Sequence, residues 1–162
     1  KKNKDIMNRT ILGLDQKKSE ELSGKLNILL SNFQVYYQNL RGLHWNIKGK
    51  NFFELHVKFE ELYTDAQEKV DLIAERILTL QGAPLHTFED YNKLSSVKVA
   101  KNISNDVEAV SVIVKSLSAL IKIERDLLNL SDTADDEGTN SMMSDFISEQ
   151  EKTIWMMNAW LG

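Results

Sequence analysis

The sequence predicts an all-α protein, a four-helix bundle with a long crossover between helices two and three. The chain has 162 residues with a single proline and 7 glycines, a composition that favours helices over strands and turns. Apolar residues recur at steps of three and four along four long segments, as they do on the buried faces of amphipathic helices. The length is that of one ordinary domain, which can bury a core without disulfides.

Helices one and two are predicted on either side of a short break. Steps of three and four run from about residue 15 to residue 43, and the next seven residues do not continue them. Asn51 followed three residues later by Glu54 resembles a capping box, which predicts that helix two starts there and runs to about Leu80. The apolar stripe of helix two, expected to face the core, consists of Leu55, Phe59, Leu62, Ala66, Val70, Ile73, Ile77 and Leu80.

A glycine and a proline at positions 82 and 84 end helix two, and a long connection follows over about residues 85–101, with room for one short helix. A long crossover fits a bundle whose middle helices are parallel. Helix three is expected over residues 102–130 and the last helix over residues 139–160, with an acidic turn at residues 132–138 between them.

Composition restricts the classes of function. The formal net charge of −4 gives no reason to expect nucleic acid along the whole surface. The absence of cysteine excludes a disulfide framework and any thiolate metal site. No apolar run is long enough to span a membrane, and no apolar segment follows the charged start as in a signal peptide. We therefore expect a cytoplasmic protein, with association with the nucleoid as an alternative.

Helix two carries two pairs of side chains that can bind metals. His56 and Glu60 are four residues apart, as are Asp71 and Glu75, so each pair lies on one surface of the helix. All four positions fall within an arc of about 100°, away from the apolar stripe. At a rise of about 1.5 Å per residue, however, His56 and Asp71 are about 22 Å apart. One helix therefore cannot bring both pairs to one ion.

A twofold axis would remove this difficulty. Positions 56 and 75 share their midpoint with positions 60 and 71, and this midpoint lies between Asp65 and Ala66. If helix two lies antiparallel against its own symmetry copy about that point, the first pair of one chain faces the second pair of the other. An isologous interface then produces two identical sites. The sequence thus predicts metal sites that are divided between two copies of the protein.

Imidazole and carboxylate ligands without sulfur suit iron, manganese or zinc. Zinc alone more often has a closed ligand set, whereas open positions commonly indicate iron that reacts with oxygen or peroxide. Di-iron centres inside helix bundles use Glu-x-x-His motifs, and no glutamate here has a histidine three residues later. Charged pairs at this spacing are more often solvated surface. Here they avoid the fully polar sector of the helix, which favours the metal interpretation. That sector consists of Lys58, Glu61, Asp65, Lys69 and Arg76.

The residues around these pairs resemble the signature of the Dps family of mini-ferritins. The likeness extends over nearly the whole chain and rests on five stretches: His44-Trp45-Asn46-Ile47-Lys48-Gly49-x-x-Phe52-x-x-Leu55-His56, Phe59-Glu60-Glu61-Leu62-Tyr63, Asp71-x-x-Ala74-Glu75-Arg76, Gly82-x-Pro84-x-x-Thr87 and Glu151-Lys152-x-x-Trp155-Met156. The resemblance implies a ferritin-like four-helix bundle that assembles into a hollow shell of twelve subunits. Such a shell oxidises ferrous iron, preferably with hydrogen peroxide, and stores ferric mineral, which protects against oxidative damage.

Carried over residue by residue, the resemblance also implies the site. One subunit would supply the first three iron ligands and its twofold mate the last two of the following set: His44, His56, Glu60, Asp71 and Glu75. The family often has aspartate at the position of Glu60, so the reach here is longer by one methylene. Trp45 resembles the site tryptophan of the family and is expected to help hold or carry oxidising equivalents. Zinc or manganese is expected only as a substitute for iron.

Two alternatives stay open. Residues 1–14 are expected to form a flexible tail before the bundle domain at residues 15–162, and a DNA-compacting protein would use its basic residues Lys1, Lys2, Lys4 and Arg9. A structural homo-oligomer with an inactive site is the other alternative.

The resemblance also places acidic groups around pores near the turn before the last helix. Acids that stabilise the start of a helix explain the same residues equally well, namely Asp135, Asp136 and Glu137. His86 is expected to bond locally.

Overall fold

A computed structural model of the chain describes residues 8–162, and this part is helical without strands. Its helices are α1 (Gln16–Asn46), α2 (Phe52–Thr79), α3 (Phe88–Leu94), α4 (Asp106–Thr133) and α5 (Glu137–Leu161). The four long helices form the predicted bundle, in which α1 packs on α2 and α4 packs on α5, while α1 also contacts α3 and α4. The short helix α3 lies within the crossover. No helix among the described residues is long and apolar enough to cross a membrane.

The core is formed where the apolar stripes of the long helices meet. Phe33 of α1 lies edge-on to Phe146 of α5, with ring centroids 6.0 Å apart. Each large apolar side chain that is fully buried contributes about 1.5–3 kcal/mol relative to an exposed one. The largest of the fully buried side chains are Phe33, Phe59, Leu22, Leu26, Leu29, Leu30, Leu40, Ile73, Ile77, Ile113, Leu120 and Leu127. Three of these side chains, Phe59, Ile73 and Ile77, belong to the apolar stripe predicted for helix two.

The break between the first two helices begins later than the sequence predicted. α1 continues to Asn46, whose side-chain amide donates to the backbone oxygen of Gly42 at 2.8 Å. Gly49 then turns the chain with φ of +109°, a conformation that glycine adopts at little cost. Asn51 is the N-cap residue of α2, but it makes no capping bond. Its amide donates instead to Asp106 at 2.8 Å, which joins the starts of α2 and α4.

The crossover and the last turn also shift the predicted boundaries. Asn102 has φ of +58°, outside the helical region, so α4 begins only after Asn105, whose side chain accepts from the backbone N–H of Glu108 at 3.0 Å. At the other end α4 continues to Thr133, and a turn with Asp135 at φ of +55° leads directly into α5. The predicted acidic loop is therefore mostly helical.

Part of the expected N-terminal tail is described. The guanidinium of Arg9 donates to the backbone oxygen of Gly13 at 2.7 Å, and the backbone of Arg9 pairs with that of Asp15. Residues 8–14 thus form a hydrogen-bonded turn before α1. Lys1, Lys2 and Lys4, on which the DNA alternative mainly depends, lie outside the described residues.

A buried ion pair ties the end of α2 to the start of α5. Asp136 is 2% exposed, and it binds the guanidinium of Arg76 at 2.5 Å. The same carboxylate caps α5 by accepting from the backbone N–H of Thr139 at 3.1 Å. Arg76 also donates to the hydroxyl of Thr139 at 2.9 Å. A Cβ atom at Gly138 would approach this guanidinium to 2.6 Å, so any larger residue there would displace Arg76. Asp136 is thus a structural helix-start acid.

One carboxylate lies inside the bundle. Glu124 of α4 has no exposed surface and accepts a hydrogen bond at 2.7 Å from the amide of Gln150 on α5. Burial raises the pKa of Glu124 to about 7, although the nearby Gln150, Lys69 and Arg125 oppose the shift. The uncharged form is favoured because a buried carboxylate loses its hydration.

We predict that Asp136→Asn destabilises the protein by about 2–4 kcal/mol, because Arg76 loses its buried counter-ion and α5 loses a charged cap. Urea denaturation would measure the loss. Asp135→Asn is the matched control, since Asp135 is exposed at the next position and asparagine tolerates its positive φ. An equal loss in both variants would contradict the structural role of Asp136.

We predict that Glu124 makes stability fall as the pH rises from about 4.5 to about 7. In this interval the folded chain keeps a proton that the unfolded chain releases, so the free energy of unfolding decreases by up to about 3 kcal/mol. Glu124→Gln should lose this slope and be the more stable variant above pH 7. Urea denaturation over a pH series tests this, with the exposed Glu151→Gln as control. A slope that persists in Glu124→Gln would refute the assignment.

Candidate metal centre

Two histidines on different helices stack and form reciprocal hydrogen bonds at the junction of α1 and α2. His44 lies in the last turns of α1, and His56 lies in the second turn of α2. The Nδ1 of His44 lies 2.6 Å from the backbone oxygen of His56, and the Nδ1 of His56 lies 2.8 Å from the backbone oxygen of His44. The two imidazole rings stack with centroids 3.8 Å apart and an interplanar angle of 12°. This contact is possible because α1 runs past residue 43.

The reciprocal bonds determine which nitrogen is free. A carbonyl oxygen can only accept a hydrogen bond, so each Nδ1 must carry a proton and donate it. In a neutral imidazole the other nitrogen, Nε2, then keeps its lone pair. A backbone carbonyl that binds one ring nitrogen and orients the other toward a metal is a common arrangement in metal sites. The structure therefore contains two parallel imidazoles whose Nε2 atoms can act as ligands of a cation.

Aromatic side chains that the sequence analysis did not assign to the site hold this pair in place. Phe52 stacks on His56 at 4.9 Å, and Tyr63 meets His44 edge-on at 5.4 Å. Burial and then the negative charge of Glu60 raise the pKa of Tyr63, so its hydroxyl stays protonated. Phe52 lies four residues before His56 and Tyr63 seven after it, which places all three on one helical face. This spacing in the sequence could have identified Phe52 and Tyr63 as neighbours of the site.

The three carboxylates lie on the outer side of α2. Glu60 is one turn after His56, whereas Asp71 and Glu75 are farther along the same helix, and all three side chains are exposed. Among the ion pairs formed by residues 8–162, none involves Asp71 or Glu75. Within the described part of one chain, no three histidine or acidic side chains come together as a metal site. The structure thus brings His44 and His56 together, with Glu60 nearby, and places the second pair elsewhere.

The helix face that carries the carboxylates also exposes large apolar side chains. Phe53, Val57 and Leu78 are 82%, 52% and 58% exposed. Phe53 and Leu78 are equally distant from the midpoint between residues 65 and 66, as are Val57 and Ala74. The arrangement therefore repeats the symmetry of the histidine and carboxylate pairs. Exposed apolar area of this kind marks an interaction surface.

Trp45 lies at the rim of the site. Its side chain is 57% exposed, and the guanidinium of Arg41 lies 4.9 Å from its ring centroid. Arg41 also lies within 6 Å of the rings of Tyr37 and Tyr63 and donates to the hydroxyl of Tyr37 at 3.0 Å. Cation–π contacts of this type hold an aromatic ring in position. His86, in contrast, is exposed with its Nδ1 3.2 Å from the backbone oxygen of Pro84, the local bond expected of it.

Comparison with known proteins identifies the family. The profile of the ferritin-like domain family matches residues 24–162. The DNA protection during starvation protein of Porphyromonas gingivalis is 37% identical over 150 residues, which cover 93% of this chain and 94% of that protein.

Solved structures agree. The crystal structure of a Dps protein from Vibrio cholerae O1, described as a member of a broad superfamily of ferritin-like diiron-carboxylate proteins, has a TM-score of 0.94 and 48% identity over 96% of this chain and 98% of that one. That of a Dps protein from Bacillus brevis has a TM-score of 0.88 and 36% identity over 90% and 98%. The chain therefore belongs to the Dps family of ferritin-like proteins.

Proposed function

We propose that this protein oxidises ferrous iron, preferably with hydrogen peroxide, and stores the ferric product as mineral inside a shell of twelve subunits. The reaction takes place at sites shared by two subunits related by a twofold axis. The observation that supports this proposal best is the pair of reciprocal hydrogen bonds between His44 and His56, which leaves both Nε2 atoms available as ligands. The exposed carboxylate of Glu60 lies one helical turn after His56. Iron is the substrate, and zinc or manganese would compete for the same ligands.

The proposed site combines groups from two chains. One chain supplies the imidazoles of His44 and His56 and the carboxylate of Glu60, and its mate supplies Asp71 and Glu75. Two antiparallel helices packed at about 8–10 Å leave room for side chains of this length to meet on an ion between them. The three carboxylates lower the charge of bound iron and favour its ferric state, while positions without protein ligands remain open to the oxidant.

Pairing of two ferrous ions makes the oxidation safe. Each ion gives one electron to hydrogen peroxide, its O–O bond breaks, and two protons complete two water molecules. A single ion would supply only one electron and leave a hydroxyl radical. Trp45 lies next to His44 at the rim and could supply the second electron when only one ion is bound, becoming an indole radical. The protein contributes by holding the two ions together and at a fixed distance from the oxidant.

Its family relatives support a protective role, since the curated relative in Porphyromonas gingivalis carries the name DNA protection during starvation protein. Removal of ferrous iron and peroxide would itself protect DNA. The DNA-compacting alternative depends mainly on Lys1, Lys2 and Lys4, which lie outside the described residues, so it stays a prediction from the sequence.

We predict that two inactive variants restore activity when they assemble together. His56→Ala lacks the histidine half of the site and Asp71→Ala lacks the carboxylate half, so each alone should oxidise iron with peroxide at least tenfold more slowly. If the two chains pair at random, about one quarter of the sites combine both intact halves. Co-refolded protein should thus recover about one quarter of the wild-type rate, measured by the absorbance of ferric iron.

The control for this experiment mixes the two proteins after separate folding, which should give no recovery. Co-refolding of His56→Ala with Glu60→Ala is a second control, because both changes fall in the same half and no intact site can form. If His56→Ala and Asp71→Ala fail to complement each other in a verified mixed assembly, the shared site is refuted.

We also predict that Leu78→Asp prevents assembly and abolishes iron oxidation. The twofold arrangement buries Leu78 against Phe53 of the mate, and an unpaired carboxylate there would lose its hydration at a cost of several kcal/mol. Leu72→Asp is the matched control, since Leu72 is 49% exposed on the same helix but lies outside the proposed interface. Light scattering with size exclusion would measure assembly. An assembled and active Leu78→Asp protein would contradict the interface.

A further inference from the structure

The interior of the bundle contains a polar cluster that the interfacial site does not use. It consists of Tyr36 on α1, Lys69 on α2, Glu124 on α4 and Gln150 on α5, one residue from each long helix. Each of the four is at most 4% exposed. Such groups are costly inside a core unless they satisfy one another. Their position within one chain also means that assembly cannot be what buries them.

Two oxygens of this cluster lack a hydrogen-bond partner. The amide nitrogen of Gln150 donates to one carboxylate oxygen of Glu124 at 2.7 Å and to the backbone oxygen of Phe146 at 2.9 Å. The other carboxylate oxygen of Glu124, Oε1, and the amide oxygen of Gln150, Oε1, accept no hydrogen bond within the described chain. Buried acceptors of this kind are uncommon and call for an explanation.

A cavity of about 260 Å³ lies beside Gln150. The side chains of Tyr36, Lys69 and Gln150 line it, together with Asp65 and Glu149 at its outer end. Apolar side chains complete the lining, and the cavity is far larger than the space that one water molecule requires. The oxygen atoms in the lining come from Tyr36, Asp65, Glu149, Gln150 and Thr153, and oxygen atoms are the ligands that hard and borderline cations prefer.

The ammonium group of Lys69 is the cation in this cluster. Its Nζ lies 2.7 and 2.8 Å from the two carboxylate oxygens of Asp65 and 2.7 Å from a carboxylate oxygen of Glu149. It also lies 5.2 Å from the centroid of the Phe146 ring, within cation–π range. Burial alone would lower the pKa of Lys69, but the hydrogen bonds to Asp65 and Glu149 outweigh this effect and raise it. Lys69 therefore stays charged.

We infer that the oxygen cluster around Lys69 is a cation site whose occupant is the chain's own Lys69 ammonium. Without that ammonium, the carboxylates of Asp65 and Glu149 would lie beside each other with no positive charge between them, and they would repel each other unless another cation entered. The Lys69 ammonium offsets their negative charge and occupies the position in which a free metal ion would bind. Lys69 thus excludes divalent cations from the interior and leaves them to sites elsewhere. The inference does not depend on the proposed ferroxidase function.

The test removes the ammonium and measures metal uptake with Co²⁺, whose visible absorption reports its ligands. Lys69→Ser shortens the side chain and opens the space, and it should bind about one more Co²⁺ per chain than the wild type. Lys69→Met is the matched control, because it removes the charge but fills the space, and it should show no gain. The double variant Lys69→Ser with Glu124→Gln should lose at least tenfold of the gained affinity, because Glu124 supplies one of the ligands.

Folding provides a second measurement. If Lys69→Ser is unfolded without metal, Co²⁺ or ethylammonium should restore its circular dichroism spectrum, because either cation can replace the missing charge. Ethylammonium, the probe closest to the lost side chain, should also raise the melting temperature of a folded Lys69→Ser protein more than that of Lys69→Met. A Lys69→Ser protein that gains no Co²⁺ and responds to neither cation would overturn the inference, as would an equal gain in Lys69→Met.

Discussion

The reciprocal hydrogen bonds between His44 and His56 connect the fold of this protein to its chemistry. They join the last turn of α1 to the first turns of α2, so they help to fix the angle at which the bundle's first pair of helices meets. They also use both Nδ1 protons and leave both Nε2 lone pairs free. Any change that moves the ends of these helices apart would therefore disturb the bundle and the candidate ligands together.

The two sides of α2 lie in different environments. One side is buried through Phe59, Ile73 and Ile77 and stabilises the subunit, while the opposite side exposes apolar and acidic groups in a symmetric order. The apolar side chains on that face lose water when a second copy covers them, which favours association. The carboxylates would then repel one another unless cations lie between them. The proposed interface and the proposed substrate thus depend on each other.

The carboxylates of Asp65 and Glu149 meet the same electrostatic problem in a different way. They bind the buried ammonium of Lys69, which belongs to the same chain, so these pairs form as soon as the chain folds. A tethered ammonium needs no outside supply and cannot be exchanged. At the outer face of α2, by contrast, Asp71 and Glu75 have no such partner among the described residues. The contrast separates a permanent structural cation from the place where we propose that a mobile cation binds.

The sequence by itself determined the all-α bundle, the long crossover with room for a short helix, and the family, because helical periodicity and the motif around His44 are local properties of the chain. It also supplied four site residues as predictions, since i,i+4 spacing fixes which side chains share a face, whereas His44 and Trp45 were predicted from the family resemblance. Tertiary structure alone decided that α1 runs on to Asn46, which lets the two imidazoles stack. It likewise decided that Lys69, which helical spacing places in the polar sector of helix two, is buried against Glu149. Helical spacing describes one helix, whereas burial and pairing depend on which other helix packs against it.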